Sequence, residues 1–157
     1  MEEHKKNMNR AIELSEKYSF QSEGGPFGCV IVKDGEIIAE GWNSVLKNND
    51  PTAHAEMEAI RKAGKKLNTF SLKGSILYTS CEPCPMCLAA IYWARIDTVY
   101  FANSQEEAKK ISFDDSFIYE EIAKSKEERE IHMIRIQEKE AWEVFESWDN
   151  WEGKQSY

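Results

Sequence analysis

Apolar positions recur every three to four residues over 8–20 (MNRAIELSEKYSF), which predicts an amphipathic first helix. Gly24-Gly25-Pro26 ends that repeat, and the period then drops to two. FGCVIVKDGEIIAEG places two β-rich runs on either side of Asp34-Gly35, a pattern that predicts a hairpin closed by a two-residue turn. From Trp42 to Thr52 the chain is polar and holds Asn43, Asn48, Asn49, Asp50 and Pro51, so a loop is expected there. Thr52 stands where an N-cap would open a helix over 53–66. Residues 76–80 read as a short buried strand, Pro83 opens a helix over 84–95, and 98–102 reads as another strand. The remainder is mostly helical, with one strand candidate at 131–136, a closing helix over 138–151 and a polar tail ending at Tyr157. Helix, hairpin, helix, strand, helix, strand is the order of a three-layer α/β fold with a mixed sheet. No repeat, low-complexity tract or linker divides the chain, so residues 1–157 are expected to form one domain.

Composition adds three constraints. With 41% hydrophobic and 31% charged residues, the balance is that of a globular protein. No apolar run approaches the roughly 18 residues of a membrane span, and MEEHKKNMNR lacks a signal-peptide pattern. A cytoplasmic location with no membrane partner is therefore expected. The net charge of −8 is concentrated late in the chain: residues 1–103 hold 12 Lys/Arg against 13 Asp/Glu, and residues 104–157 hold 8 against 15. A C-terminal third with that excess repels a phosphate backbone, which argues against a nucleic-acid partner.

Cys81, Cys84 and Cys87 follow a C-x-x-C-x-x-C spacing, and without a secretion signal such crowding points to metal or redox chemistry. His54 and Glu56 open one predicted helix, and Cys84 and Cys87 open another, three residues apart and able to face the same way. A helix N-terminus favours thiolates because its free N–H groups are positive. One imidazole and two thiolates suit zinc at roughly 2.0–2.3 Å and leave a fourth tetrahedral position for water. Zinc lowers the pKa of such a water to about 7. Glu56, two residues beyond His54, is then placed to move protons between that water and a substrate. The competing arrangement is a closed structural site of His54, Cys81, Cys84 and Cys87, which would leave Glu56 without a role. A redox Cys84-x-x-Cys87 pair would leave both His54 and Glu56 idle. Cys29, within a buried-strand pattern, reads as a small core residue.

GGPFGCVIVKDGEIIAEGWN, NDPTAHAEMEAIRKA and LYTSCEPCPMCLAAIYWARIDTVYFA resemble the cytidine-deaminase superfamily, whose zinc signature pairs H-x-E with P-C-x-x-C. FDDSFIYEEI, the acidic C-terminal part and the terminal tyrosine resemble one branch, the small bacterial guanine deaminases. The resemblance implies a mixed five-stranded sheet sandwiched by helices. It also implies hydrolysis of a nucleobase, guanine plus water giving xanthine plus ammonia, and a homodimer whose C-terminal segment, 138–157, crosses to the partner so that Tyr157 caps the other pocket. On the same grounds Asn43 would donate to O6 or N7 of the base. Of Asp114 and Asp115, Asp115 would face N1–H and the 2-amine and relay a proton there, and Phe27 and Trp93 would stack on the ring. Each has a plainer alternative: Asn43 as a turn former, the two aspartates as helix-start acids, Trp93 as core. Three other functions compete: a deaminase of another small base or aminoheterocycle, a tRNA adenosine deaminase, and a non-catalytic zinc-stabilised binding module.

Overall fold

The structure, a computed structural model, describes residues 1–157 as two compact units, 1–117 and 118–157. The first opens with α1 (Glu2–Ser19), which starts ahead of the apolar repeat at Met8. Glu2 and Glu3 in its first turn suit the positive end of a helix, but they carry no apolar period that would reveal it. The hairpin follows as β1 (Gly28–Lys33) and β2 (Glu36–Trp42). Its turn has positive φ at both central residues, 51° at Asp34 and 79° at Gly35, which is what Asp-Gly supplies at least cost. The polar stretch after it contains one helical turn, α2 (Val45–Asn48). Then come α3 (Ala55–Leu67), β3 (Ser75–Cys81), α4 (Pro85–Trp93), β4 (Thr98–Asn103), α5 (Gln105–Lys110) and the start of α6 (Ser116–Ala123).

The sheet order is β2-β1-β3-β4, with β1 antiparallel to both neighbours and β3 parallel to β4 across the α4 crossover. Strand alternation divides β1 between two cores. Val30 and Val32 pack with Leu14 of α1 and with Tyr78, while Cys29 and Ile31 pack with Ala55, Ala59 and Ala63 of α3 and Ile91 of α4. That places α1 on one face of the sheet and α3 and α4 on the other, the three layers expected.

Alanines on α3 let it lie close to β2. A Cβ added at Gly41 would sit 2.1 Å from the Ala55 carbonyl oxygen and 2.6 Å from the Ala59 nitrogen, both backbone atoms that cannot move aside cheaply. Gly41→Ala is expected to lower stability by about 1–3 kcal/mol through overpacking, read as a drop in the urea midpoint. An unchanged midpoint would show that α3 is not seated against β2 as described.

The second unit completes α6 and continues through a turn in which the Arg129 guanidinium donates to the carbonyls of Glu121, Ile122 and Lys124. It ends in α7 (Glu138–Asp149). Residues 131–136 correct the expectation of a fifth strand: they form no ladder, and Ile131, Met133, Ile134 and Ile136 are exposed. Apolar, β-rich residues make a strand only where a neighbouring backbone takes up the N–H and C=O groups. No helix is long and apolar enough to cross a membrane.

Candidate metal and substrate site

Two helix N-termini carry the metal-ligand candidates. His54 is the N-cap of α3 in extended conformation, and its side chain makes no capping bond, which leaves the ring available. Cys84 is the N-cap of α4, followed by Pro85, whose missing N–H would have lacked a partner anyway. The Cys84 sulfur accepts from the Cys87 backbone N–H at 3.5 Å. Nδ1 of His54 lies 3.5 Å from each of the Cys84 and Cys87 sulfurs. A tetrahedral zinc with ordinary bond lengths holds a nitrogen and a sulfur ligand about 3.6 Å apart, so the three residues fit that ion with His54 turned to present Nδ1.

Thiol protonation follows from the contact between the two sulfurs. A hydrogen bond from Cys87, helped by His54, brings Cys84 down to about 4, and donating that bond pushes Cys87 above its ordinary value. The Cys84 thiolate in turn raises the His54 imidazole. Cys81 is not part of this group. Its sulfur lies 3.8 Å from the Ser104 carbonyl oxygen as a weak donor, and burial lifts its thiol to about 11. The closed four-residue arrangement, the competing reading, is not formed: His54, Cys84 and Cys87 make up the group that could hold a metal ion, and Cys81 stands outside it.

Glu56 follows in the first turn of α3 and is 6% exposed, and burial raises its carboxyl above the ordinary range. One of its oxygens accepts a 2.9 Å bond from the Thr79 hydroxyl. Asn43 lies just beyond β2 and is buried. Its Oδ1 accepts from the backbone N–H groups of Gly25 and Val45 at 3.3 and 3.2 Å, which fixes the amide flip and leaves the NH2 end to donate. Gly24 is needed for that contact, because a Cβ there would sit 2.0 Å from the Asn43 Oδ1.

The two aspartates before α6 divide their duties. Asp114 is committed locally: it accepts from the Ser116 N–H and hydroxyl and pairs with Lys109 at 2.9 Å, which holds its carboxyl at about 2. Asp115 has no such partners. Burial raises its carboxyl, with further contributions from Cys84, Asp114 and Glu82. Phe27 is half-buried and meets Phe113 edge-on at 4.9 Å. Trp93 stands at the far end of α4 from Cys84, roughly 13 Å along the helix, and is 63% exposed. Within one chain it is not brought to the ligand group. Tyr157 belongs to the second unit and is exposed. Thr79 and Phe113 were not singled out in the sequence. Thr79 looks there like any strand residue, while Phe113 sat inside FDDSF beside the aspartates.

Residues 1–103 match the family model described as the cytidine and deoxycytidylate deaminase zinc-binding region. This chain belongs to that family. A guanine deaminase from Bacillus subtilis is 52% identical over 98% of this chain and 99% of its own length. The X-ray structure of guanine deaminase from Bacillus subtilis superposes with a TM-score of 0.95, at 52% identity and covering 98% of each chain. A tRNA-specific adenosine deaminase from Buchnera aphidicola is 38% identical over 65% of this chain and 70% of its own length. The fold is thus cytidine-deaminase-like, with four strands rather than five formed within the chain.

Proposed function

We propose that this family member is a zinc-dependent guanine deaminase that converts guanine and water to xanthine and ammonia. The observation that carries the choice of base is the reach of the likeness. Identity to a guanine deaminase runs through the acidic C-terminal third, whereas the tRNA-specific relative matches 65% of the chain. The acidity of residues 104–157 points the same way, against a tRNA substrate.

His54, Cys84 and Cys87 would hold the zinc. Bound there, the ion supplies Lewis-acid activation of water near neutral pH. Glu56 would take a proton from the attacking water and deliver it to N3 of guanine, then take the remaining proton of the added hydroxyl and pass it to the 2-amino group, which leaves as ammonia, a task suited to a buried carboxyl with a raised pKa. The fixed NH2 end of Asn43 donates to O6 or N7, and Asp115 accepts from N1–H and the 2-amine. Phe27 packs on the ring. Residues 1–157 act as one deaminase domain in a homodimer, with 138–157 exchanged so that Tyr157 comes from the second copy. Three features support exchange: β4 is an edge strand, the apolar residues of 131–136 have no ladder, and α7 leaves Trp142, Val144 and Phe145 exposed.

Ammonia release tests the reading, measured with guanine, adenine, cytosine, their nucleosides and tRNA. Release from guanine alone is expected. Release only from tRNA would overturn the choice of base, and bound zinc with no release from any substrate would favour a binding module. Light scattering is expected to give a dimer that becomes monomeric when 138–157 is deleted.

The unequal surroundings of the two aspartates give a sharper test. Asp115→Ala is expected to lower kcat/KM for guanine roughly 10- to 100-fold, the worth of a hydrogen bond to a charged group. Asp114→Ala is expected to leave it within about threefold, because its bonds go to Ser116 and Lys109. Equal losses in both variants would refute the assignment.

A further inference from the structure

Thr79 lies on β3 with no exposed surface. It pairs in register with Cys29 of β1, and alternation puts it on the same face as Leu77, so its neighbours belong to the apolar core under α3. The pattern there calls for valine, and threonine has the same shape with a hydroxyl in place of one methyl. A buried hydroxyl is costly unless it is bonded, and this one donates 2.9 Å to Oε1 of Glu56. Its branched Cβ restricts χ1, so the donor is aimed before any substrate arrives. The other side chain that bonds Glu56 is Cys87. As a metal ligand Cys87 is a thiolate and has no proton to give, which leaves Thr79 as the side-chain donor to Glu56.

We propose that Thr79 is a positioning residue: by holding Oε1 it turns Oε2 of Glu56 toward the reacting atoms and selects the oxygen that carries the proton. This inference rests on the deaminase reading above.

Three variants made as full-length, zinc-loaded protein test it. Thr79→Val keeps the shape and removes the donor. It is expected to lower kcat on guanine about 10- to 100-fold, in keeping with the cost of a misaimed catalytic group, with KM within about twofold, one zinc per chain and an unfolding midpoint near that of the wild type. Thr79→Ser restores the donor and is expected to return kcat to within about threefold of wild type. Thr79→Ala, should the valine variant not fold, is compared with Thr79→Ser in its place. The proposal is overturned if the donor-less variant keeps wild-type kcat. It is also overturned if the serine variant loses as much as the donor-less one, or if the loss appears in KM or zinc content rather than kcat. Wild-type protein that binds zinc and releases no ammonia from guanine would instead overturn the functional reading, and the role of Thr79 with it.

Discussion

Glu56→Gln is expected to lower guanine turnover by about 10³- to 10⁴-fold while zinc content stays at one per chain, as metal analysis and ammonia release would show. The glutamine amide has nearly the shape of the carboxylate, and its oxygen can still accept from the Thr79 hydroxyl 2.9 Å away from the wild-type oxygen. What it cannot do is take a proton from water and return it. General acid–base contributions of 10² to 10⁴ are typical, and the upper half of that range applies because one group serves both the ring nitrogen and the leaving ammonia. Glu56 is not among the ligand atoms gathered around His54, so the substitution leaves the metal group intact. Turnover within tenfold of wild type would remove Glu56 from the mechanism.

How much of this could be read from the chain differs from element to element. The Asp34-Gly35 hairpin was legible because its turn demands positive φ at two successive residues and few pairs supply it. The ligand group was legible because its members sit at helix starts marked by Pro51 and Pro83, and local spacing already brings Cys84 and Cys87 to one side. The N-cap of α3 was misplaced at Thr52 for an equally local reason. Asp50 Oδ1 captures both the N–H and the hydroxyl of Thr52, so the helix begins only after His54. The Thr79–Glu56 bond joins residues on a strand and a helix, and no spacing within either segment announces it. The strand expected over 131–136 failed for the opposite reason. Its β-rich residues were real, but pairing depends on a neighbour that the residue order does not specify.

Removing the metal is expected to abolish ammonia release, with one equivalent of zinc restoring it, and the pH dependence of rebinding follows from the thiol pair. Without metal, Cys84 is already a thiolate at neutral pH, because its value is about 4, while Cys87 keeps its proton by donating to Cys84. A ligand sulfur must be deprotonated, so binding has to expel the Cys87 proton. Where the imidazole of His54 is neutral, release of about one proton per zinc, that of Cys87, is expected; the Cys84 thiolate raises the pH at which that condition is reached. Affinity should then fall about tenfold for each unit of decreasing pH. Below the raised His54 value the imidazole must lose a proton as well, and the fall steepens toward about a hundredfold per unit. Calorimetry in buffers of different ionisation enthalpy counts these protons directly. Two protons released on the alkaline plateau, where proton release no longer changes with pH, would mean that Cys84 is a thiol in the free protein, contrary to the 3.5 Å contacts that hold its charge. Cys87→Ala extends the argument: with no second sulfur the site loses zinc and turnover together, whereas Glu56→Gln loses turnover alone, and the contrast separates holding the metal from moving the proton.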